Sequence, residues 1–206
     1  MAPTMAASPE VFLVKNKMHA TGCDLFLDVH GDESLPYNFV AGSEMLEGFT
    51  RSSTSRRLVV VGSANYSDAF HMRLKALADA DARILLVGHV HDQAALTELW
   101  CNCFAYLHGH SVGGTNPALL RAMGCSCAVL ALDTVFNREV LGDTGAYFSR
   151  SSTAVTEVIQ LLDAGDRVGQ MRVDARARVR ERYTWEGVTS QYEDLFLQVA
   201  RVSRAG

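Results

Sequence analysis

The strongest chemical signal in the chain is a serine between glycines, Gly109-His110-Ser111-Val112-Gly113, with Gly114 directly after. The run fits G-x-S-x-G. It follows the apolar stretch FAYLH and precedes the helical stretch PALLRAM, the strand–turn–helix setting that a nucleophile elbow requires. In such a turn the glycines permit a tight bend that lifts the Ser111 hydroxyl above the sheet edge, and the Val112 N–H serves as one oxyanion donor. A serine hydroxyl also needs a base. None of the seven histidines follows Ser111, so the usual α/β-hydrolase order of Ser, acid, His is absent. His89 and His91 follow the apolar run ILLV, which is expected beside FAYL in a parallel sheet. Either could be the base, with Asp133 or Asp92 as orienter, because triads occur in several chain orders. The chemistry implied is hydrolysis of a small-molecule short-acyl ester by a serine esterase, with no cofactor. The alternative is a plain binding turn in which Ser111 attacks nothing.

Other chemistry-bearing residues give weaker signals. Cys101-x-Cys103 and Cys125-x-Cys127 lack histidines at zinc-finger spacing and read as small buried apolar residues. Arg167 to Arg182 holds six arginines with Asp174 and Glu181 interspersed, which reads as a solvated helix surface. Trp100 and Trp185 read as helix core residues.

Composition narrows the classes. The 206 residues are 48% hydrophobic and 20% charged, with a net charge of −4, so no basic excess is present to neutralise nucleic-acid phosphates. Apolar runs such as Ala128 to Leu132 stop far short of the ~20 residues that cross a bilayer. The opening MAPTMAASPE lacks the basic and apolar regions of a secretory signal. Five cysteines in a chain this large and apolar suit a reduced, cytoplasmic protein.

The elements that must position the site follow from hydrophobic period and punctuation. Ser8-Pro9-Glu10 opens a helix, DLFLDV (24–29) and YNFVA (37–41) read as strands, and the polar stretch 48–57 (GFTRSSTSRR) reads as a linker. From Leu58 onward apolar strand runs alternate with helical stretches. LVVV, ILLV and AVLAL are continuous rather than alternating, the pattern of parallel strands buried on both faces. Asp92 and Asn116 stand where helix caps belong. The predicted fold is an α/β three-layer sandwich with a mostly parallel, Rossmann-like sheet of four or five strands across 58–148, closed by three helices near 152–163, 166–182 and 185–202.

Two stretches resemble known families. Residues from about 56 to 204 carry LVVVGSANYSD, HVHDQAALTELW, YLHGHSVGGTNPALLRAMG and FNREVLGDTGAYF, and resemble the C-terminal, nucleotide-sugar half of a GT-B family 4 glycosyltransferase, nearest the rhamnosyltransferase-like members. That resemblance implies a donor in the cleft between two domains, with Gly113, Gly114, Thr115 and Asn116 facing it at a helix N-terminus. The family's two acids, eight residues apart, correspond here to Gly113 and Arg121, and its acceptor-binding domain has no counterpart in the matched residues. The implied role is a domain that binds a nucleotide-sugar with no transfer or only residual transfer. Residues 8 to about 45 resemble an internal fragment of an M14 zinc carboxypeptidase of the cytosolic carboxypeptidase type, in which His30 corresponds to a zinc ligand. The family's other ligands, an upstream HxxE pair, are absent, so His30 is an orphan and no metal site is expected. The organisation expected is therefore a fragment (1–47), a linker (48–57) and a Rossmann-like domain (58–206). DLFLDV is expected to cover an exposed sheet edge, and such an edge leaves homodimer formation open. Of the two functions the esterase is favoured, because its parts fit on one sheet edge whereas transfer needs a second domain.

Overall fold

The computed structural model describes residues 25–28, 42–62, 68–111 and 114–204. Among these residues six strands form one sheet: β1 (Leu25–Asp28), β2 (Leu58–Val61), β3 (Ile84–Gly88), β4 (Ala105–His108), β5 (Val129–Leu132) and β6 (Ala146–Phe148). Their order is β3-β2-β1-β4-β5-β6, and every pairing is parallel. The helices are α1 (Gly42–Arg51), α2 (Asp68–Ala80), α3 (Gln93–Asn102), α4 (Pro117–Gly124), α5 (Val135–Leu141), α6 (Ser152–Ala164), α7 (Arg167–Arg182) and α8 (Trp185–Arg204). The helix predicted from Ser8 and the strand predicted at 37–41 lie outside the described residues.

Strand periodicity sorts the core into two halves, because successive side chains point to opposite faces. Leu58 and Val60 of β2 pack with Leu107 and Leu130 against α1, α2 and α6 through Met45, Phe49, Leu74, Val155 and Ile159. Val59 and Val61 pack on the other face with Tyr106, Val129 and Ala131 against α3, α4 and α5 through Leu96, Trp100, Leu119, Met123 and Val140. Both faces are covered, so the predicted three-layer α/β architecture is the observed one.

Three details differ from the sequence reading. β1 does not cover an edge. It sits between β2 and β4, with Leu25 opposite both Leu58 and Ala105. α5 was not anticipated; its seven residues are too few to display a helical period, yet Thr134 caps it, its hydroxyl accepting from the Asn137 N–H at 3.1 Å. The 48–57 stretch is not a free linker. It begins as the end of α1, where Phe49 is wholly buried, and Ser52 and Thr54 beyond it are also buried. Its hydroxyls at Thr50, Ser52 and Thr54 mislead because they bond to backbone atoms: the Ser52 hydroxyl donates to the Phe49 carbonyl at 2.6 Å.

Arg83 secures that same segment. Its guanidinium donates to the carbonyls of Ser52 (3.1 Å), Thr54 (2.5 Å) and Thr50 (3.2 Å), and to the Asp81 carboxylate at 2.6 Å. The Arg83 hydrogen bond in turn holds the Asp81 carboxyl below its ordinary range. These carbonyls include the otherwise unpaired end of α1. Arg83→Ala is expected to lower stability by about 2 kcal/mol, the scale of charge-assisted hydrogen bonds in a partly exposed setting. Urea unfolding of the two proteins measures it. A change within a few tenths would mean that water replaces the guanidinium without loss.

Candidate functional site

All six strands run parallel, so their C-terminal ends open on one edge. The chain moves outward through β1, β2 and β3, then crosses to the other side of β1 to form β4. That reversal makes β1/β4 the topological switch point, the place where open α/β sheets form a ligand crevice. The described loop residues along the same C-terminal edge include 89–92, 109–111, 114–116 and 133–134. Gly88 ends β3 at φ +70°, a left-handed backbone open to glycine without cost, and its carbonyl accepts from Gly62 N–H at 2.8 Å, tying two strand ends together.

The centre of the edge is aromatic and polar. His108, the last residue of β4, is fully buried. Its Nδ1 lies 3.2 Å from the Tyr106 hydroxyl, its ring stacks on His110 with centroids 5.0 Å apart, and its Nε2 has no hydrogen-bond partner among the described residues. Burial, with the adjacent His110 acting in the same sense, depresses the His108 pKa to about 3, so the ring is neutral at ordinary pH. Asn137 of α5 is also buried, and its Nδ2 donates to the carbonyls of His110 and Leu132, both at 2.9 Å. One amide thus joins α5, the end of β5 and the turn after β4. Sequence reading missed His108 and Asn137. Asn137 had one faint signal, a polar residue in a first helical turn whose later residues, Val140 and Leu141, are apolar.

The serine and the histidines of the expected triad follow strands that stand apart in the sheet. β3 and β4 are not neighbours; β2 and β1 stand between them, so their ends are about 14 Å apart at ordinary strand spacing. The crossover still brings α3 beside α4, and Gln93 Oε1 accepts from the Arg121 guanidinium at 2.5 Å. Both candidate acids are engaged elsewhere. Asp92 caps α3, its carboxylate accepting from the amides of Ala94 (2.8 Å) and Ala95 (3.4 Å). Asp133 takes two hydrogen bonds from Arg138, at 2.5 and 2.7 Å, which hold its carboxyl below the ordinary range. His89 and His91 are exposed and lie against each other, with ring centroids 4.2 Å apart. Ser111 is half-buried, while Val112, the expected oxyanion donor, lies outside the described residues with Gly113 and His30.

The turn is built for approach from solvent. Gly114 and Thr115 are exposed, and Asn116 caps α4 with its side-chain oxygen accepting from Ala118 (2.9 Å) and Leu119 (3.2 Å). Pro117 has no N–H, so the first amides of α4 are already occupied. What remains for an anion is the positive end of the helix dipole.

No family model matches the chain. A 42-residue stretch is 55% identical to an uncharacterized protein of Zymomonas mobilis and covers 20% of this chain and 11% of that protein. Solved structures agree over nearly the whole chain. HepE of Anabaena, in complex with UDP, superposes with a TM-score of 0.72 at 13% identity, over 96% of this chain and 54% of that one. A glycosyltransferase from Rickettsia africae gives 0.73 at 12% identity, over 97% and 53%. The chain's fold is the Rossmann-like fold of GT-B glycosyltransferases. Sucrose-phosphate synthase of Thermosynechococcus elongatus shares it, with a TM-score of 0.68 at 19% identity, over 92% and 49%. The chain spans about half the length of these proteins. These likenesses, with Asp92 and Asp133 engaged elsewhere, overturn the esterase reading, and the small-molecule ester substrate goes with it. The carboxypeptidase likeness of residues 8–45 gains no support. No described helix is long and apolar enough to cross a membrane.

Proposed function

We propose that the chain is a nucleotide-sugar-binding, glycosyltransferase-like domain that takes a nucleoside diphosphate sugar at the C-terminal edge of its sheet, with no transfer or only residual transfer. The likeness to HepE bound to UDP carries this reading, since it extends over 96% of the chain. Further complexes of HepE contain UDP with glucose, and UDP-glucose. The resemblance of Leu107 to Gly124 to the rhamnosyltransferase-like members supports a donor lying against Gly113, Gly114, Thr115 and Asn116. Two features of this chain suit such a ligand: the topological switch point between β1 and β4, and an exposed turn at the positive end of α4.

Gly114 provides a clean test. A Cβ added there meets nothing within 4 Å, so a larger residue leaves the fold intact. Gly114→Glu places a negative charge beside the proposed diphosphate. Calorimetric titration with UDP-glucose is expected to show saturable binding to the wild type and binding weakened about tenfold or more by Gly114→Glu, a loss of ~1.4 kcal/mol or greater from like-charge repulsion. Gly114→Ala should bind as the wild type does. Absence of binding to the wild type, or equal binding by all three proteins, would refute the proposal.

A further inference from the structure

At the opposite edge of the sheet, four cysteines meet. The segments entering β4 and β5 are neighbours in parallel register, since Tyr106 N–H donates to the Ala128 carbonyl at 2.8 Å. That register sets Cys101-x-Cys103 beside Cys125-x-Cys127. Cys103 and Cys127 are fully buried, and their sulfurs are 3.1 Å apart. Cys125 is half-buried and Cys101 exposed, and the Cys101 thiol is near enough to help push the Cys125 thiol up. All four are free thiols.

We propose that Cys103 and Cys127 are a redox pair that closes to a disulfide, with Cys101 and Cys125 as its entry thiols. The bond needs the sulfurs to approach by about 1 Å, to the ~2.05 Å of a disulfide. It would join residues 24 apart in the chain, the two ends of the β4–turn–α4 unit that carries the candidate site.

The oxidant is a low-molecular-weight disulfide, RSSR. The Cys101 thiolate attacks it, forming Cys101–S–S–R and releasing one RSH. Cys125 then attacks the Cys101 sulfur and releases the second RSH. Cys103 then attacks the Cys125 sulfur, forming a Cys103–Cys125 disulfide and releasing Cys101 as a thiol. Cys127 attacks Cys103 and frees Cys125. The sum is two protein thiols plus RSSR giving one protein disulfide plus two RSH. Cys103 and Cys127 are fully buried while Cys101 is exposed, so an external disulfide meets Cys101 first; the Cys127 hydrogen bond and burial also push the Cys103 thiol well above its ordinary value, and burial with the neighbouring Cys101 pushes the Cys125 thiol up to about 12. Arg172 and Arg176 partly offset this by favouring the thiolates of Cys103 and Cys125 respectively.

The test is incubation of the reduced protein with oxidised glutathione at pH 8, followed by alkylation, intact mass measurement and peptide mapping. Mapping is needed because the chain has five cysteines. The expected product has lost two hydrogens, contains a Cys103–Cys127 cross-linked peptide, and melts about 10 °C higher, as closing a loop of this length implies. Cys101→Ser should slow its formation about tenfold or more without changing the product. Cys127→Ala, a small apolar replacement suited to the buried position, should form no inner bond and show no rise in melting temperature. Five alkylated cysteines, or a final product bridged only between Cys101 and Cys125, would overturn the proposal. An unchanged rate in Cys101→Ser would remove the entry role.

Discussion

Unfolded in urea at pH 7 and again at pH 4.5, the protein is expected to be roughly 2 to 3 kcal/mol less stable at the lower pH because of His108 alone. In the fold its pKa is about 3, against an ordinary value of 6.5. The folded pKa is the lower one, so between these values the unfolded state binds more protons. The stabilising contribution is therefore fully present above pH 6.5 and is lost as pH falls towards 3. Each pH unit inside that window costs up to ~1.4 kcal/mol. The physical cause is burial: protonation would place a charge on a ring with no exposed surface, stacked 5.0 Å from His110. Asp81 and Asp133 have folded pKa values below 3.8, so their losses begin only near that pH. Measuring above it isolates the histidine. His108→Gln retains a hydrogen-bonding side chain but cannot titrate, and most of the difference between pH 7 and 4.5 should vanish in it. An equal loss in the variant and the wild type would show that the acid sensitivity arises elsewhere.

Gly48→Ala is expected to destabilise the protein by about 2 to 3 kcal/mol, although alanine at an exposed helix position would stabilise by ~1 kcal/mol over glycine. Gly48 lies inside α1 where that helix crosses α6. A Cβ built there would stand 2.5 Å from Val155 Cβ and 2.6 Å from the Ser152 carbonyl oxygen. One obstacle is backbone and the other a Cβ, so neither can swing aside and the helices must separate. Separation also strains the hydrogen bond from the Thr156 hydroxyl to the Gly48 carbonyl, 2.8 Å in the native packing. Val155→Ala should give no rescue, because it retains the obstructing Cβ. Urea unfolding of the single and double variants decides the matter, and a Gly48→Ala protein more stable than the wild type would show that α1 and α6 do not pack this closely.

Much of the fold was legible without coordinates because its signals are local. LVVV, ILLV and AVLAL are short, continuous and apolar; LVVV and VLAL are buried on both faces, as such runs imply, whereas ILLV is the edge strand β3 and leaves Leu86 exposed. Asp92 and Asn116 were recognisable as caps because a cap needs nothing beyond its own first helical turn. The Leu107 to Gly124 stretch carried a likeness that the solved structures support at the level of fold. The arginines of α7 were less transparent. Read as a solvated face, they include Arg172, which donates to the Cys103 carbonyl, and Arg178, whose guanidinium reaches the carbonyls of Val140 and Glu139, both at 2.7 Å. An arginine bound to distant backbone has the same sequence signature as one in water.

The sequence by itself determined the layers: which apolar runs become strands, most of the helices though not α1 or α5, and that the strands run parallel. It also determined the glycine-rich turn after the fourth strand and the helix that follows. Strand order was decided only in the tertiary structure, because order depends on which apolar faces cover which, a property of all the elements at once. That order placed β1 in the middle of the sheet and put two strands between β3 and β4. It also set the fate of the polar residues: Asp92 to a helix cap, Asp133 to Arg138, His108 to a buried, uncharged position, Asn137 to a bridge between segments. Each is a common residue whose chemistry is decided by its neighbours, and those neighbours are 27 residues away for the Asn137 bond to His110 and 24 for the Cys103–Cys127 pair.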